Sequence, residues 1–461
     1  MRKLTIICSL LSISFLFLQC QENLNGQGRA SSDDGTSRES QQESISNKSH
    51  EFKTRGYRTC VVPEDDLEIT KDTILCRGEY HLDDKNLDGV IKIAQDNVTL
   101  DCNGAEIIGD GSGYGIYSTG YSNLTIKNCV LSMYDSIIDI RDSDNSSIIN
   151  NTVTYYNATG IGYDSVTNSV IANNTIDYEI GEDSDAISLD SVSNISIEDN
   201  EMLHNESGSV SVIGSSDHVK IVRNKIYGEY HEQIILYGVP DSDISDNDMI
   251  VGEDVCQAIV LDSGCDNSTI SYNDIIKLNR NGGIYITIYY SLGSPLPKNV
   301  KIFGNTILGG GTGIEVSPIE TAGENAKNFM VYDNTISGYG SAMACDVGID
   351  IGSLTDSSFY NNIVDCDVAI ESSGSNSNVT FYNNYFDTAI PLQETEKSVL
   401  VDVFFNTTKT LGENIIGGPY IGGNFWSTYD GVDTNGDGIG ETPFEIKNGL
   451  YDYLPLTNNV P

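Results

Sequence analysis

One pattern restricts what this chain can fold into more than anything else in it. The stretch Asn168-Ser169-Val170-Ile171-Ala172-Asn173-Asn174-Thr175-Ile176 reads polar, small, small, apolar, polar, polar, Asn, any, apolar. The same pattern restarts at Asn97, Asn123, Asn145, Asn168, Asn194, His218, Asp241, Asn267, Asn299, Asn328, Asp356 and Asn378. Most intervals are 22 to 26 residues, stretching to 32 in the second half. A fixed period in this range means one structural unit stacked on itself.

The unit is made of short alternating runs, such as Asn194-Ile195-Ser196-Ile197 and Ala186-Ile187-Ser188-Leu189. Period-two alternation rich in Ile, Val and Thr reads as strand, and no stretch carries a helical stripe. Two or three such strands separated by Gly, Asn, Asp and Ser turns make one coil of a parallel β-helix. Inward apolar residues then form columns. The first is Leu100, Ile126, Ile148, Ile171, Ile197, Ile221, Ile244, Ile270, Ile302, Val331, Phe359 and Phe381; the second runs from Ile161 through Ile187, Val210, Ile234, Ile259, Ile284, Ile314 and Ile349 to Ile370. The seventh position is Asn103, Asn151, Asn174, Asn200, Asn224, Asn247, Asn273, Asn305, Asn334, Asn362 and Asn384, interrupted by Cys129. Asparagine there suits both a left-handed bend and an amide ladder from coil to coil. The expectation is an all-β, single-stranded solenoid of about 12 or more coils at about 4.8 Å each, with a small C-terminal capping module.

The chain divides into a signal segment at 1–20, a polar stalk at 21–56, the β-helix at 57–411 and the cap at 412–461. Met1-Arg2-Lys3 followed by the apolar run Leu4 to Leu18 reads as a secretory signal, too short for a secure membrane span. Cys20 after it resembles the lipidated cysteine of bacterial lipoproteins, although Gln19 is larger than the usual preceding residue. A formal net charge of −42 excludes nucleic acid, which needs a basic face, and fits cations or neutral ligands. Cys60, Cys76, Cys102, Cys129, Cys256, Cys265, Cys345 and Cys366 in an exported chain favour disulfides over a metal site. Cys345-Asp346-Val347-Gly348-Ile349 and Cys366-Asp367-Val368-Ala369-Ile370 align, which places the last two cysteines one coil apart and within bridging range. Cys256 goes with Cys265, and the first four allow three connectivities.

Gly89-Val90-Ile91-Lys92-Ile93-Ala94-Gln95-Asp96-Asn97-Val98-Thr99-Leu100-Asp101-Cys102-Asn103-Gly104, followed by Gly113-Tyr114-Gly115-Ile116, resembles the opening of NosD-like right-handed β-helix proteins. The resemblance runs from about Cys60 to the C-terminus and implies the pectate-lyase-type fold. It also implies a carbohydrate-related surface role, or copper-site maturation in the periplasm. Five His and six Met offer little for copper.

The middle coils carry a candidate site: Asp183 and Asp185 in one coil, His204 and Glu206 in the next, then Arg223, Lys225, Tyr230, His231 and Glu232. Stacked in one groove, these would suit β-elimination or C5 epimerisation of a uronic acid. A His or Tyr would take the proton, and Arg or Ca²⁺ would neutralise the carboxylate. Paired carboxylates would instead hydrolyse a glycosidic bond. The Asp-Pro-His-Asp tetrad of alginate epimerases and the Gly-His-Gly of polygalacturonases are missing. Insertions at Ser291 to Pro297 and Glu315 to Lys327 fall where solenoids often place binding loops.

The C-terminal segment holds the single Trp, Trp426, and the run Asp433-Thr434-Asn435-Gly436-Asp437-Gly438-Ile439-Gly440-Glu441. It resembles the first half of an EF-hand or dockerin loop, with Asp433, Asn435, Asp437, the Ile439 carbonyl and Glu441 as Ca²⁺ ligands. Position twelve is Phe444 rather than an acid, and Glu445 follows one residue late. The reading is a structural calcium under a cap of Trp426, Tyr429 and Phe444. The sequence as a whole points to a secreted, cell-surface or periplasmic monomer that binds an extracellular polysaccharide or glycan without a firm catalytic signature. Any membrane contact would be through a lipid anchor. The alternatives are a polysaccharide lyase or epimerase, and copper-site maturation.

Overall fold

In the computed structural model the chain is described at residues 59–179, 184–205, 208–254, 257–278, 282–287, 296–316, 325–340 and 343–459. The signal segment with Cys20, the stalk, Asp183, Glu206, Cys256 and most of both insertions lie outside these residues, as do the side chains of His204 and Tyr230. The described residues belong to the unit spanning 58–461.

Forty strands pair in parallel into one continuous sheet that winds as a right-handed solenoid. Each coil visits three faces. Face A runs from Thr73–Ile74 to Val399–Phe404, face B from Glu79–His81 to Phe425–Trp426, and face C from Leu67–Ile69 to Ile390–Glu394. The register is what the repeat requires. On face A, Ile171 pairs with Ile197, Ile197 with Ile221, and Val331 with Phe359. On face C, Ile161 pairs with Ile187 and Ile349 with Ile370. Both columns are fully buried, with relative exposures of 0–1%. Each such aliphatic side chain contributes about 1.5–3 kcal/mol by leaving water, so the stacked columns are the main source of stability. A third column, on face B, runs through Ile176, Met202, Ile226, Met249, Ile275, Ile307, Ile336, Val364 and Phe386 to Trp426.

The asparagine column forms a ladder of buried side chains at the A–B corner. From Asn151 through Asn174, Asn200, Asn224, Asn247, Asn273, Asn305, Asn334, Asn362 and Asn384 to Asn424, each Nδ2 donates to the Oδ1 of the next rung at 2.8–3.0 Å. The same Oδ1 also accepts the backbone N–H of the rung below, as in Asn224 N to Asn247 Oδ1 at 2.9 Å. The left-handed bend, however, belongs to other residues. It falls one residue earlier, at Asn150, Asn173, Asp199, Arg223, Asp246 and Tyr272, and again at the first motif position, from Asn97 and Asn123 to Asn378. The ladder amide is thereby freed to point inward while its neighbour makes the turn. Asn103 is itself left-handed and stands outside the ladder, with Nδ2 reaching the Leu75 carbonyl at 3.4 Å.

The last rung, Asn424, lies inside the stretch assigned to the cap, with Phe425–Trp426 completing face B on Tyr385–Asp387. Asp452 closes the ladder. Its Oδ2 accepts Asn424 N at 2.7 Å, Asn424 Nδ2 at 3.4 Å and Trp426 Nε1 at 3.0 Å. A Cβ on Gly423 would sit 1.9 Å from Asp452 Oδ1, so that glycine makes room for the carboxyl. The antiparallel pair Phe444–Lys447 and Leu450–Asp452 covers the end, with Phe444 against Trp426 at 5.6 Å.

Disulfides join Cys60 to Cys76, Cys102 to Cys129 and Cys345 to Cys366, with Cα separations of 4.8, 4.7 and 4.6 Å. The last is the one-coil bridge expected from the aligned repeats. Cys265 corrects the expected Cys256–Cys265 bridge: it is a free, buried thiol whose Sγ donates to the Leu236 carbonyl at 3.4 Å. Three disulfides mark a chain that matures in an oxidising compartment.

Candidate functional site

The structure places the described residues of the sequence-based site at two corners of the coil. Arg223 is the left-handed residue of an A–B corner. Its guanidinium is bound to the coil beneath, to Asp199 at 2.8 and 2.9 Å and to Glu198 at 3.0 Å. Those two carboxylates offset the charge that a substrate carboxylate would otherwise meet. Asp185 opens a face C strand, away from Arg223. Burial pushes its carboxyl up to about 7, against hydrogen bonds from Ser188 and Ser211. His231 is an exposed, left-handed residue at a B–C corner whose carbonyl accepts Gln233 Nε2 at 3.4 Å. That corner is filled by Gln233, whose Oε1 accepts Ser209 Oγ at 2.8 Å and whose amide occupies the space a Cβ on Gly228 would take. Arg223 therefore sits at a different corner from Asp185 and His231, which share the B–C corner two coils apart. A Cβ on Gly208, in the coil between them, would lie 2.8 Å from Asp185 Oδ1.

A different surface carries an exposed aromatic beside an open groove. On the outside of face A, Ser245, Ser271 and Phe303 occupy one outward column, because their strands pair in register. From Phe303 onward the column is aromatic. Phe303, Tyr332, Tyr360 and Tyr382 stack at centroid distances of 4.8, 4.9 and 5.1 Å, with ring planes within 13° of parallel. Burial, and for Tyr360 the neighbouring tyrosines, raise the hydroxyls of Tyr332, Tyr360 and Tyr382, that of Tyr360 to about 12. Their faces cover one another, so this stack presents edges and hydroxyls to the outside. Tyr272 differs. It meets Phe303 edge-to-face at 5.2 Å and remains 56% exposed. Its φ of 56° is unusual for a bulky residue and falls where most coils place Asn, Asp or Gly. Gly304 in the next coil lies under the ring, where a Cβ would come within 2.6 Å of Tyr272 Cε1. Beside Tyr272 is an open groove lined by Ser242, Asp243, Ser245, Asn267, Thr269 and Ser271. The sequence signal was available: aromatics at the fifth pattern position appear only from Phe303 onward.

In the cap, Asp433 Oδ1 accepts the N–H groups of Asn435, Gly436 and Asp437 at 3.1, 2.7 and 3.3 Å, and Oδ2 accepts Gly438 N at 2.7 Å. Glu441 caps Thr434 N through both oxygens at 3.0 Å. Asp437 is paired with the Lys409 ammonium, which also stacks 4.4 Å from the Tyr420 ring centre. Among the described residues no three His, Cys, Asp or Glu side chains are grouped to hold a metal ion.

The family described as Periplasmic copper-binding protein (NosD) matches residues 297–431. The Right handed beta helix region matches residues 88–248 and 181–318, which together cover 231 of the 461 residues. No curated protein matches the chain. Among solved structures, the A-module of mannuronan C-5 epimerase AlgE4 from Azotobacter vinelandii is similar at 16% identity and a TM-score of 0.51, covering 72% of this chain and 91% of that one. The AlgE6 A-module of the same organism gives 16% identity and a TM-score of 0.47 over 72% and 90% of the two chains. PfbA, a surface adhesin of Streptococcus pneumoniae, gives 12% and 0.41 over 80% and 91%. At such identities the likeness is one of fold. With the solenoid and the right-handed β-helix match in agreement, the chain belongs to the right-handed parallel β-helix proteins, and its residues 297–431 are similar to NosD.

Proposed function

We propose that this protein is an extracytoplasmic glycan-binding β-helix and that the groove beside Tyr272 on face A holds the sugar. The observation that carries the reading is the exposed Tyr272 ring beside a row of Ser, Thr, Asn and Asp side chains. A sugar ring offers an apolar C–H face to an aromatic and hydroxyls to short polar side chains, so this pairing suits a neutral or weakly charged saccharide. The periplasmic description of the family matching residues 297–431, and the disulfides, support a role outside the cytoplasm. The chain's negative charge disfavours a polyanion without a bridging cation. Affinity electrophoresis against a panel of polysaccharides tests the reading. Tyr272→Ala is expected to weaken the retarded complex about tenfold, equivalent to about 1.4 kcal/mol. Retardation identical in wild type and variant would refute the assignment of the groove.

A second reading, a lyase or epimerase acting on a uronate polymer, draws on face C. There Arg141 is clamped by Asp139 at 2.8 and 2.9 Å and lies 5.8 and 5.5 Å from the ring centres of Tyr114 and Tyr117. Asp185, two coils further along the same face, carries its proton to near-neutral pH. Ultraviolet absorbance of unsaturated ends formed from alginate or pectate, and lost in Asp185→Asn, is the expected mark of a lyase. For the cap we propose Ca²⁺ as a competitor of Lys409 for Asp437, with Asp433, Asn435, Glu441 and the Ile439 carbonyl completing the set. Gly436 and Gly438, both at positive φ, give the loop the turn such a set requires.

A further inference from the structure

We propose that the C-terminal end of face A is a dimer interface. There the open edge of Val399–Phe404 pairs antiparallel with the same strand of a second copy of this chain, about a two-fold axis.

Face A ends without a cover. Each face A strand from Thr99–Asp101 to Ser375–Tyr382 is paired on both sides, whereas Val399–Phe404 pairs only with Ser375–Tyr382 among the described residues. The other two faces are closed. On face B, Leu456 bridges onto Phe425 in parallel, and Leu456 N donates to the Asn424 carbonyl at 2.8 Å. On face C, the cap hairpin reaches Ile390–Glu394, where Lys447 Nζ meets Glu394 at 3.5 Å. The N-terminal end of face A is closed as well, by Val61, which bridges Leu75 and is tied down by the Cys60–Cys76 disulfide.

The open edge is apolar on both sides. Outward, Val399, Val401 and Phe404 are 51%, 51% and 47% exposed. Inward, Leu400 and Val403 are half-buried, although their register partners one coil back, Asn376 and Val379, are 1% and 0% exposed. The core is thus unsealed along this strand. A long apolar edge with free backbone N–H and C=O groups is a template for another strand, and folds normally blunt it or cover it.

Charge selects the occupant. Lys397, in the turn before the strand, and Asp402, within it, are both exposed, and neither makes an ion pair among the described residues. Asp402 also continues the exposed corner row, in which Asn378 hands its amide to Asp356 of the coil before at 2.7 Å. No described coil follows to donate to Asp402 in the same way. A two-fold axis through Leu400 sets Val399 opposite Val401 of the second copy and Leu400 opposite its own equivalent. It also brings Lys397 beside Asp402 at both ends of the pairing. Apolar and charged residues are therefore self-complementary, as a two-fold contact requires. A strand from a different protein would match the apolar row, but nothing would relate it to the spacing of Lys397 and Asp402. One short strand from each copy gives an interface at the small end of the specific range, so the dimer is weak and concentration-dependent. The formal charge of −42 on each copy opposes association in low salt, and screening relieves it.

Sedimentation equilibrium of the full chain tests the interface. The wild type is expected to pass from monomer toward dimer as concentration rises, more readily in high salt than in low. Val401→Lys is expected to weaken the dimer about tenfold or more. Lys397→Asp and Asp402→Lys are each expected to weaken it severalfold, and the Lys397→Asp/Asp402→Lys double variant to regain the wild-type affinity. Leu87→Lys, at a residue 61% exposed in the first coils, is the control and is expected to change nothing. Thermal melting shows that each variant keeps its fold. A chain that stays monomeric at every concentration overturns the proposal and leaves the edge to a different partner. A dimer unmoved by Val401→Lys, or weakened as much by Leu87→Lys, overturns it as well, and a double variant no tighter than the single reversals overturns the two-fold pairing.

Discussion

Replacing Asn247 by Ala tests whether the amide ladder holds the solenoid together. Asn247 lies mid-ladder and is fully buried. Its Nδ2 donates to Asn273 Oδ1 and to the Ile221 carbonyl, both at 2.9 Å, and its Oδ1 accepts Asn224 N at 2.9 Å and Asn224 Nδ2 at 3.0 Å. Truncation removes all four bonds. Asn224 Nδ2 keeps the Ile197 and Val222 carbonyls, and Asn273 Oδ1 keeps the backbone N–H of residue 247. Asn224 N–H and the second acceptance at Ile221 have no such replacement. Stranding a buried backbone group costs about 1–3 kcal/mol, so the variant should lose about 3–5 kcal/mol once the cavity left by the amide is included. Urea denaturation followed by far-ultraviolet circular dichroism measures the total. Hydrogen exchange of the strands around Ile221 and Ile270 shows whether the loss is centred on these coils. Asn194→Ala is the control, since Asn194 belongs to the exposed row, where Nδ2 reaches Asn168 Oδ1 at 2.7 Å in full contact with water. That change should cost about 1–2 kcal/mol, set by the left-handed φ of 56° that Ala tolerates less well than Asn rather than by the exposed bond. Equal losses for the two variants would refute the argument that burial, rather than the repeated pattern as such, gives the ladder its strength.

Asp452 predicts how the cap responds to pH. Burial, opposed by its hydrogen bonds with Asn424, Trp426 and Leu454, pushes its carboxyl up to about 7 from 3.8. The folded cap therefore holds a proton that the unfolded chain releases. This contribution is fully present below about pH 3.8 and is lost as pH rises through about 7, amounting to at most about 4 kcal/mol. Asp452→Asn should flatten the melting temperature between pH 4 and 7, and an unchanged slope would show that other acids set it. Removing the Cys345–Cys366 bridge by Cys366→Ser should cost about 3 kcal/mol for a loop of 21 residues, read as a lower urea midpoint. Arg223→Ala, which breaks exposed pairs to Asp199 and Glu198, should shift stability by less than about 1 kcal/mol, with glycan binding at Tyr272 untouched. Lys409→Ala should strengthen any Ca²⁺-induced rise in the melting of the cap, because the ammonium leaves Asp437. A rise that is smaller than in wild type would show that Lys409 and the ion do not compete.

The solenoid was legible because the inward Ile of each coil recurs in sequence, and two of the three core columns follow from that period alone. The face B column was harder to see, since Met202, Met249 and Trp426 break its aliphatic character. The assignment of the left-handed bend failed at pairs such as Asn173-Asn174, where two adjacent asparagines carry different roles and composition cannot distinguish them. Asn424 was hidden by the 40 residues that separate it from Asn384, although the ladder bond is as short as any other at 2.8 Å. The grouping of Arg223 with Asp185 and His231 treated neighbouring coils as neighbouring side chains, and Arg223 sits at another corner from the other two. A coil has three faces and several corners, and sequence proximity does not say which of them a residue joins. Tyr272 shows the converse: it is the one aromatic at the sixth pattern position, a signal visible in the sequence, and the structure adds Gly304 under its ring and Phe303 beside it.

The ladder also has a direction. Every rung from Asn151 to Asn384 hands its amide hydrogen toward the C-terminus, so the row is polar in the way a crystal grown along one axis is polar, with unlike ends. At one end Cys129 N–H donates into Asn151; at the other Asp452 accepts the Asn424 backbone N–H, and the Asn424 amide turns to the Phe405 and Phe381 carbonyls at 2.6 and 3.0 Å. Coils can be added or deleted within the row without disturbing its sense, and 22-residue and 40-residue circuits close it equally well. The two terminations cannot be exchanged. A shortened rod that ends on an internal asparagine takes from that residue the Oδ1 that accepts its backbone N–H, as Asn247 does for Asn224, and a well-capped truncation must carry its own equivalent of Asp452.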